Sequence, residues 1–169
     1  MSNTPNVRKM TRRAAIAFYS TVQMLDGHAE DIVTENVKTG DKNTTRKIIP
    51  FQFGKPDDSG KLLNGSKIRY NAARNLAILK EPYDAFVKAR DGHINQLSNG
   101  KGSIEKDDPN YTEVMLQLNR ELERLLDDEV DVIGLLDLPY EYLNLDGNPN
   151  LSPTIISALL PLISGLPTE

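Results

Sequence analysis

The chain has 169 residues, 38% of them apolar and 26% charged, with no cysteine, no tryptophan and a formal net charge of −4. This length suits one domain, 1–169, rather than two, and the missing cysteines exclude disulfide scaffolds, thiol nucleophiles and thiolate metal sites. No apolar run reaches the roughly 18 residues of a transmembrane helix, and residues 1–13 lack the apolar core of a signal peptide, so no membrane partner and a cytoplasmic start are expected.

In chain order, residues 1–10 read as a basic N-terminal arm. Thr11 then caps a helix from Arg12, with Ile16, Val22 and Leu25 near helical spacing and Gly27 beyond its end. Between Asp31 and Phe53, two β-rich runs flank a turn from Thr39 to Thr45 and predict a hairpin, with Pro50 confining the second strand to an edge or a bulge. Gly54 to Gly65 reads as a loop.

Ser66 is an N-cap candidate for a long amphipathic helix. Ile68, Ala72, Leu76, Leu79, Tyr83, Phe86, Ile94 and Leu97 recur at helical spacing before Asn99-Gly100, with Pro82 inside as an expected kink. Asp108-Pro109 supplies a cap and first-turn proline for the next helix, in which Tyr111, Val114, Met115, Leu118, Leu122 and Leu125 continue the stripe. Residues 66–128 thus predict an antiparallel helical hairpin whose first arm is basic and whose second is acidic. Val130-Asp131-Val132-Ile133 reads as a short strand joining the earlier hairpin, ended by Gly134. Residues 135–169 form an apolar C-terminal segment in which Ser152-Pro153 opens a last helix toward Ile163, limited to about two turns by Pro161. The expected fold class is α+β and mainly helical: a long helical hairpin, a small β-hairpin or sheet, and a short C-terminal helix.

The charge is unevenly placed. Residues 1–104 hold 17 Lys/Arg against 10 Asp/Glu, whereas 105–169 hold 3 against 14, with no basic residue after Arg124. Such asymmetry points either to a surface oriented toward a partner or to halves that pair with each other.

Catalytic and cofactor motifs fail on spacing. Gly54-Lys-Pro-Asp-Asp-Ser-Gly60-Lys61-Leu62 has five residues between its glycines where a phosphate loop needs four, and Leu62 replaces the required Ser/Thr. His28 and His93 have no i, i+4 partner, and no Gly-x-Ser-x-Gly occurs. The acids at Glu105, Asp107 and Asp108 sit where negative charge favours a helix N-terminus. Those at Asp127, Asp128, Glu129 and Asp131 follow a helix C-terminus, where the dipole disfavours them, so a basic partner or the basic first half is expected nearby. Metal-bound carboxylate chemistry stays open as a reading of these two clusters, but no catalytic residue, cofactor or metal ligand is assigned and the chain is expected not to be an enzyme.

The interaction candidates are the basic cluster Arg8, Lys9, Arg12 and Arg13, the acids Asp127, Asp128 and Glu129, and the apolar C-terminal residues Tyr140, Tyr142, Leu143, Leu159 and Leu160. Four cations without interleaved aromatics allow phosphate contacts, so nucleic-acid binding is the alternative function. The C-terminal apolar residues either cover the helices as a third layer or present a contact surface.

Three stretches carry a family resemblance: Lys67-Ile-Arg-Tyr70-Asn-Ala-Ala-Arg74-Asn75-Leu76; Leu79-Lys80-Glu81 with Tyr83 to Phe86; and Leu118-Asn119-Arg-Glu121-Leu122 with Leu125-Leu126-Asp-Asp-Glu129-Val130. Over about residues 66–133 the chain resembles small uncharacterised proteins of tailed bacteriophages, in which a charged helical hairpin precedes a Glu-Val-x-Val strand and an apolar tail. It departs from them in its long front portion and in Pro82. The resemblance implies a phage setting, no catalytic residues, and a structural or accessory role in the virion or its assembly. Other phage structural proteins, or further copies of the chain, would then be its partners, in the virion or the host cytoplasm.

Overall fold

The computed structural model describes residues 6–35 and 42–166. Its elements are β1 (Val7–Thr11), α1 (Arg12–Gln23), β2 (His28–Glu35), β3 (Lys42–Ile49), β4 (Lys55–Pro56), β5 (Leu62–Leu63), α2 (Gly65–Leu97), α3 (Tyr111–Asp127), β6 (Glu129–Ile133), β7 (Leu138–Pro139), α4 (Pro153–Leu159) and β8 (Ile163–Ser164), with single 3-10 turns between some of them. The class is α+β with small two-stranded sheets: β1–β6, β2–β3 and β4–β5 antiparallel, β7–β8 parallel. Contacts gather the chain into two units. One takes the residues up to Tyr19 with Asn75–Leu135, the other Ser20–Arg74 with the residues from Leu136, and α1 and α2 each contribute to both.

In the first unit, the Thr11 hydroxyl accepts a hydrogen bond from the Ala14 amide at 3.2 Å, the cap expected for α1. Residues 7–10, read from sequence as part of a basic arm, are instead a strand. β1 lies antiparallel to β6 with Arg8 opposite Val132 and Lys9 opposite Asp131. β6 therefore does not join the β2–β3 hairpin; it pairs with a strand more than a hundred residues earlier. α2 runs unbroken through Pro82. It ends where Asn99 and Gly100 take positive φ, and the Gly100 amide reaches back to the Asn95 carbonyl at 2.8 Å, which ties off the last turn. α3 starts at Tyr111, because Asp108 and Pro109 are used in a turn closed by the Asp108 carboxylate on the Asn110 amide at 2.8 Å. Ala15, Leu79, Leu118, Val132 and Leu135 form this unit's buried apolar set, and Tyr19 stacks on Tyr83 with ring centroids 4.5 Å apart.

In the second unit, the predicted hairpin is present as β2–β3, in register from His28 opposite Ile49 to Glu35 opposite Lys42; residues 39–41 of its expected turn lie outside the described residues, and residues 42–45, expected in the turn, belong instead to β3. Pro50 follows the last residue of β3, where its missing N–H costs the ladder nothing. The segment read as a loop holds the two-residue pair β4–β5. α2 begins at Gly65, one residue before the proposed cap Ser66, after Asn64 at φ +59°. Gly65 is required there, because a Cβ would overlap the Phe53 carbonyl. Ser152 caps α4 by accepting from the Ile155 amide at 3.3 Å, with Pro153 as first helical residue. The helix stops at Leu159, and Pro161 falls in a 3-10 turn leading into β8. Val22, Leu25, Phe51, Phe53, Ile68, Leu138, Leu143, Leu151, Leu159 and Leu162 are buried in this unit.

Candidate functional site

The basic and acidic candidates meet in the first unit. The last carbonyls of a helix have no intrahelical donors, and its C-terminal end carries partial negative charge. Asp127 and Asp128 add to that charge at the end of α3. Arg12 answers both problems: its guanidinium donates to the Leu125 carbonyl at 3.1 Å and to the Asp128 carboxylate at 3.4 Å, and its amide donates to the Asp128 carbonyl at 2.8 Å. Arg13 bridges Glu123 at 2.5 Å and Asp127 at 3.1 Å. The Glu123 hydrogen bond, then that to Asp127, raises the Arg13 pKa above its ordinary value. Lys9 faces Asp131 across the ladder, Glu129 faces Thr11, and Arg8 is half-buried opposite Val132. Cations and carboxylates that sequence reading singled out separately therefore form one clasp joining the chain's start to the end of α3.

Beside the clasp, a groove of about 510 Å³ lies between Ala77–Ala85 of α2 and Val130–Ile133 of β6, with Arg12 in its wall. Apolar residues such as Ile78, Pro82 and Val130 line it together with Arg12 and the acids Glu81 and Asp131. The Arg12 Nε is buried without a hydrogen-bond partner among the described residues. Among the described residues no group of three His, Asp or Glu side chains gathers as a metal ion would need. His28 pairs through Nε2 with the Asn150 amide at 2.9 Å, and His93 is half-buried on α2.

The C-terminal candidates divide. Leu143 and Leu159 are fully buried and belong to the second unit's core. Tyr140 and Tyr142 are half-buried, with the Lys67 ammonium 5.5 Å from the Tyr142 ring centroid. Leu160 is exposed. Around them, the buried Asn148 holds the 51–53 segment to the tail: its side-chain oxygen accepts from the Gln52 amide at 2.7 Å, and its amide group donates to the carbonyls of Gln52 at 3.0 Å and Leu143 at 2.9 Å. The Arg69 guanidinium donates to the Phe51 carbonyl at 2.9 Å.

The feature that sequence reading passed over is the exposure of the β2–β3 hairpin. Residues 29–34 and 44–48 are exposed along both strands, so neither face of the ribbon is covered. Val33 is 58% exposed, Ile48 57% and Ile32 37%. The strands also differ in charge: β2, His-Ala-Glu-Asp-Ile-Val-Thr-Glu, holds acids and no Lys/Arg, whereas β3, Lys-Asn-Thr-Thr-Arg-Lys-Ile-Ile, holds bases and no acid. The register sets Glu30 opposite Lys47 and Asp31 opposite Arg46, yet these four take part in none of the ion pairs among the described residues. The signal was legible, because alternate positions in β2 give His, Glu, Ile, Thr on one face and Ala, Asp, Val, Glu on the other, and neither set is a core face.

No helix among the described residues is long and apolar enough to cross a membrane. Compared with known proteins, the chain matches no family model, no curated protein and no solved structure.

Proposed function

We propose that the chain is a non-enzymatic structural or accessory protein of a tailed phage, making protein–protein contacts in the virion or during its assembly. The observation that carries the contact role is the bare β2–β3 ribbon, which presents Ile32, Val33 and Ile48 to solvent. Two-stranded ribbons are marginal alone in water and gain stability when a third strand or a covering surface is added. The phage setting rests on the resemblance of residues 66–133. In this reading α2 and α3 act as a long antiparallel hairpin that spaces the contact ends; Leu97 near the end of α2 and Val114 near the start of α3 line the same small cleft, which supports a hairpin tip there.

Nucleic-acid binding through Arg8, Lys9, Arg12 and Arg13 is the weaker reading, because two of its four cations are already engaged with Glu123, Asp127 and Asp128. Mass spectrometry of purified particles, with affinity capture of the tagged full chain from infected cells, tests the proposal. The expected result is the chain in particles or bound to a particle protein during assembly. A chain that is absent from particles and captures no phage structural protein overturns it.

A further inference from the structure

We propose that the β2–β3 hairpin is a head-to-tail self-association element, in which the acid-bearing outer edge of β2 in one copy pairs with the base-bearing outer edge of β3 in the next. This deepens the contact role and rests on that reading. β2 and β3 are hydrogen-bonded to each other and to no further strand among the described residues, so the outer edges at residues 29–33 and 44–48 face no third strand. Such rows are templates for another strand, and proteins control which strand they accept through the charges placed along them.

The charge pattern selects the occupant. Pairing β2 with β2 about a two-fold axis centred between Glu30 and Asp31 sets these acids against each other. Pairing β3 with β3 sets Arg46 and Lys47 against the same bases. Like charges across a strand pair are destabilising and opposite charges stabilising, so the permitted neighbour is the unlike strand. Hairpins stacked in one orientation bring β2 of one copy antiparallel to β3 of the next. If the register inside the hairpin is repeated between copies, Glu30 again faces Lys47 and Asp31 again faces Arg46, four side chains that enter none of the ion pairs among the described residues. A second copy is thus the partner that both edges fit. Because the surface used on one side differs from that on the other, the contact is heterologous, and copies add into a ring or an open file.

The test uses the full chain in sedimentation velocity over a wide concentration range at low and high salt. The wild type is expected to associate beyond the monomer with a dissociation constant that rises with salt. Glu30→Lys with Asp31→Lys makes both strands basic, and Arg46→Glu with Lys47→Glu makes both acidic; each double variant is expected to lose on the order of tenfold or more in self-affinity. Mixing the two should restore assembly with alternating copies, and the fourfold variant carrying all four changes should assemble alone, because its edges are again unlike. Circular dichroism checks that each variant is folded. A monomeric wild type overturns the inference, as does association unchanged in both double variants, or folded double variants that fail to assemble when mixed. Particle proteomics separates this from the contact role: a monomeric chain found in particles sinks self-association alone, while an assembling chain that is absent from particles and captures no phage protein sinks the virion reading alone.

Discussion

Arg12 and Arg13 are adjacent, equally charged and both paired with acids of α3, yet their replacement should have unequal consequences. The Arg12 side chain is 18% exposed, against 49% for Arg13. Arg12→Met keeps most of the aliphatic stem but leaves the Leu125 carbonyl, one of the last four of α3, without its donor. A hydrogen bond from a charged donor to a partly buried acceptor contributes about 2 kcal/mol net. With a urea slope of about 2 kcal/mol per molar for a domain of this size, the midpoint should fall by about 1 M. Arg13→Ala removes contacts to exposed carboxylates that solvent and salt screen, so its midpoint should move little and the difference should vanish as salt is raised. Urea melts followed by circular dichroism at low and high salt measure both. If Arg13→Ala costs as much as Arg12→Met, or Arg12→Met leaves the midpoint unchanged, the assignment of Arg12 as the cap of α3 is wrong.

Three further outcomes follow from the second unit. Asn148→Ala strands the Gln52 amide and removes a donor from two carbonyls, so it should cost roughly 3 kcal/mol in urea melts; Asn148→Asp should not rescue it, because a carboxylate cannot donate to the Gln52 and Leu143 carbonyls. Gly65→Ala drives a Cβ into the Phe53 carbonyl and should cost about 1–3 kcal/mol or displace the start of α2, read in hydrogen exchange as lost protection of the Lys67 amide, which donates to the Asn64 carbonyl, and of the first-turn amides that follow it. The Asp57 carboxylate accepts from the Ser59 hydroxyl, then from the Lys61 and Ser59 amides, and these bonds hold its pKa below the usual carboxylate range. A lowered folded-state pKa means the contribution is present above the unfolded-state value and is lost as pH falls through the folded one. Carbon-detected NMR titration should therefore find Asp57 protonating below the usual carboxylate range, and Ser59→Ala should move it back up; a midpoint for Asp57 within the usual range and unmoved by Ser59→Ala would refute the hydrogen-bonded loop.

Sequence made the local elements readable where periodicity and caps agree. Thr11 and Ser152 cap α1 and α4 as their residue types demand, and the stripe from Ile68 to Leu97 marks α2. It failed where an element exists through a distant partner. Val-Arg-Lys-Met-Thr has two apolar residues three apart and no turn signal, so β1 is a strand because β6 is beside it. β4 and β5 are two residues each, below any periodic signal. The division of the chain within α1 and α2 was equally hidden, since helical periodicity continues across both boundaries.

The net charge of −4 conceals two different uses of the same chemistry. At the clasp, cations from residues 12–13 and acids from residues 123–128 satisfy each other, so their charge is spent on holding the chain's start to the end of α3 and little remains for a partner. On the hairpin, acids and bases are sorted by strand, and Glu30, Asp31, Arg46 and Lys47 stand in register yet enter none of the ion pairs among the described residues, on a ribbon exposed along both strands. Folding alone does not require that sorting, because mixed charges on each strand would solubilise the ribbon as well. Sorting matters when strands of different copies must distinguish like from unlike, and that is why the hairpin, rather than the basic cluster at the start of the chain, is where intermolecular specificity is to be sought.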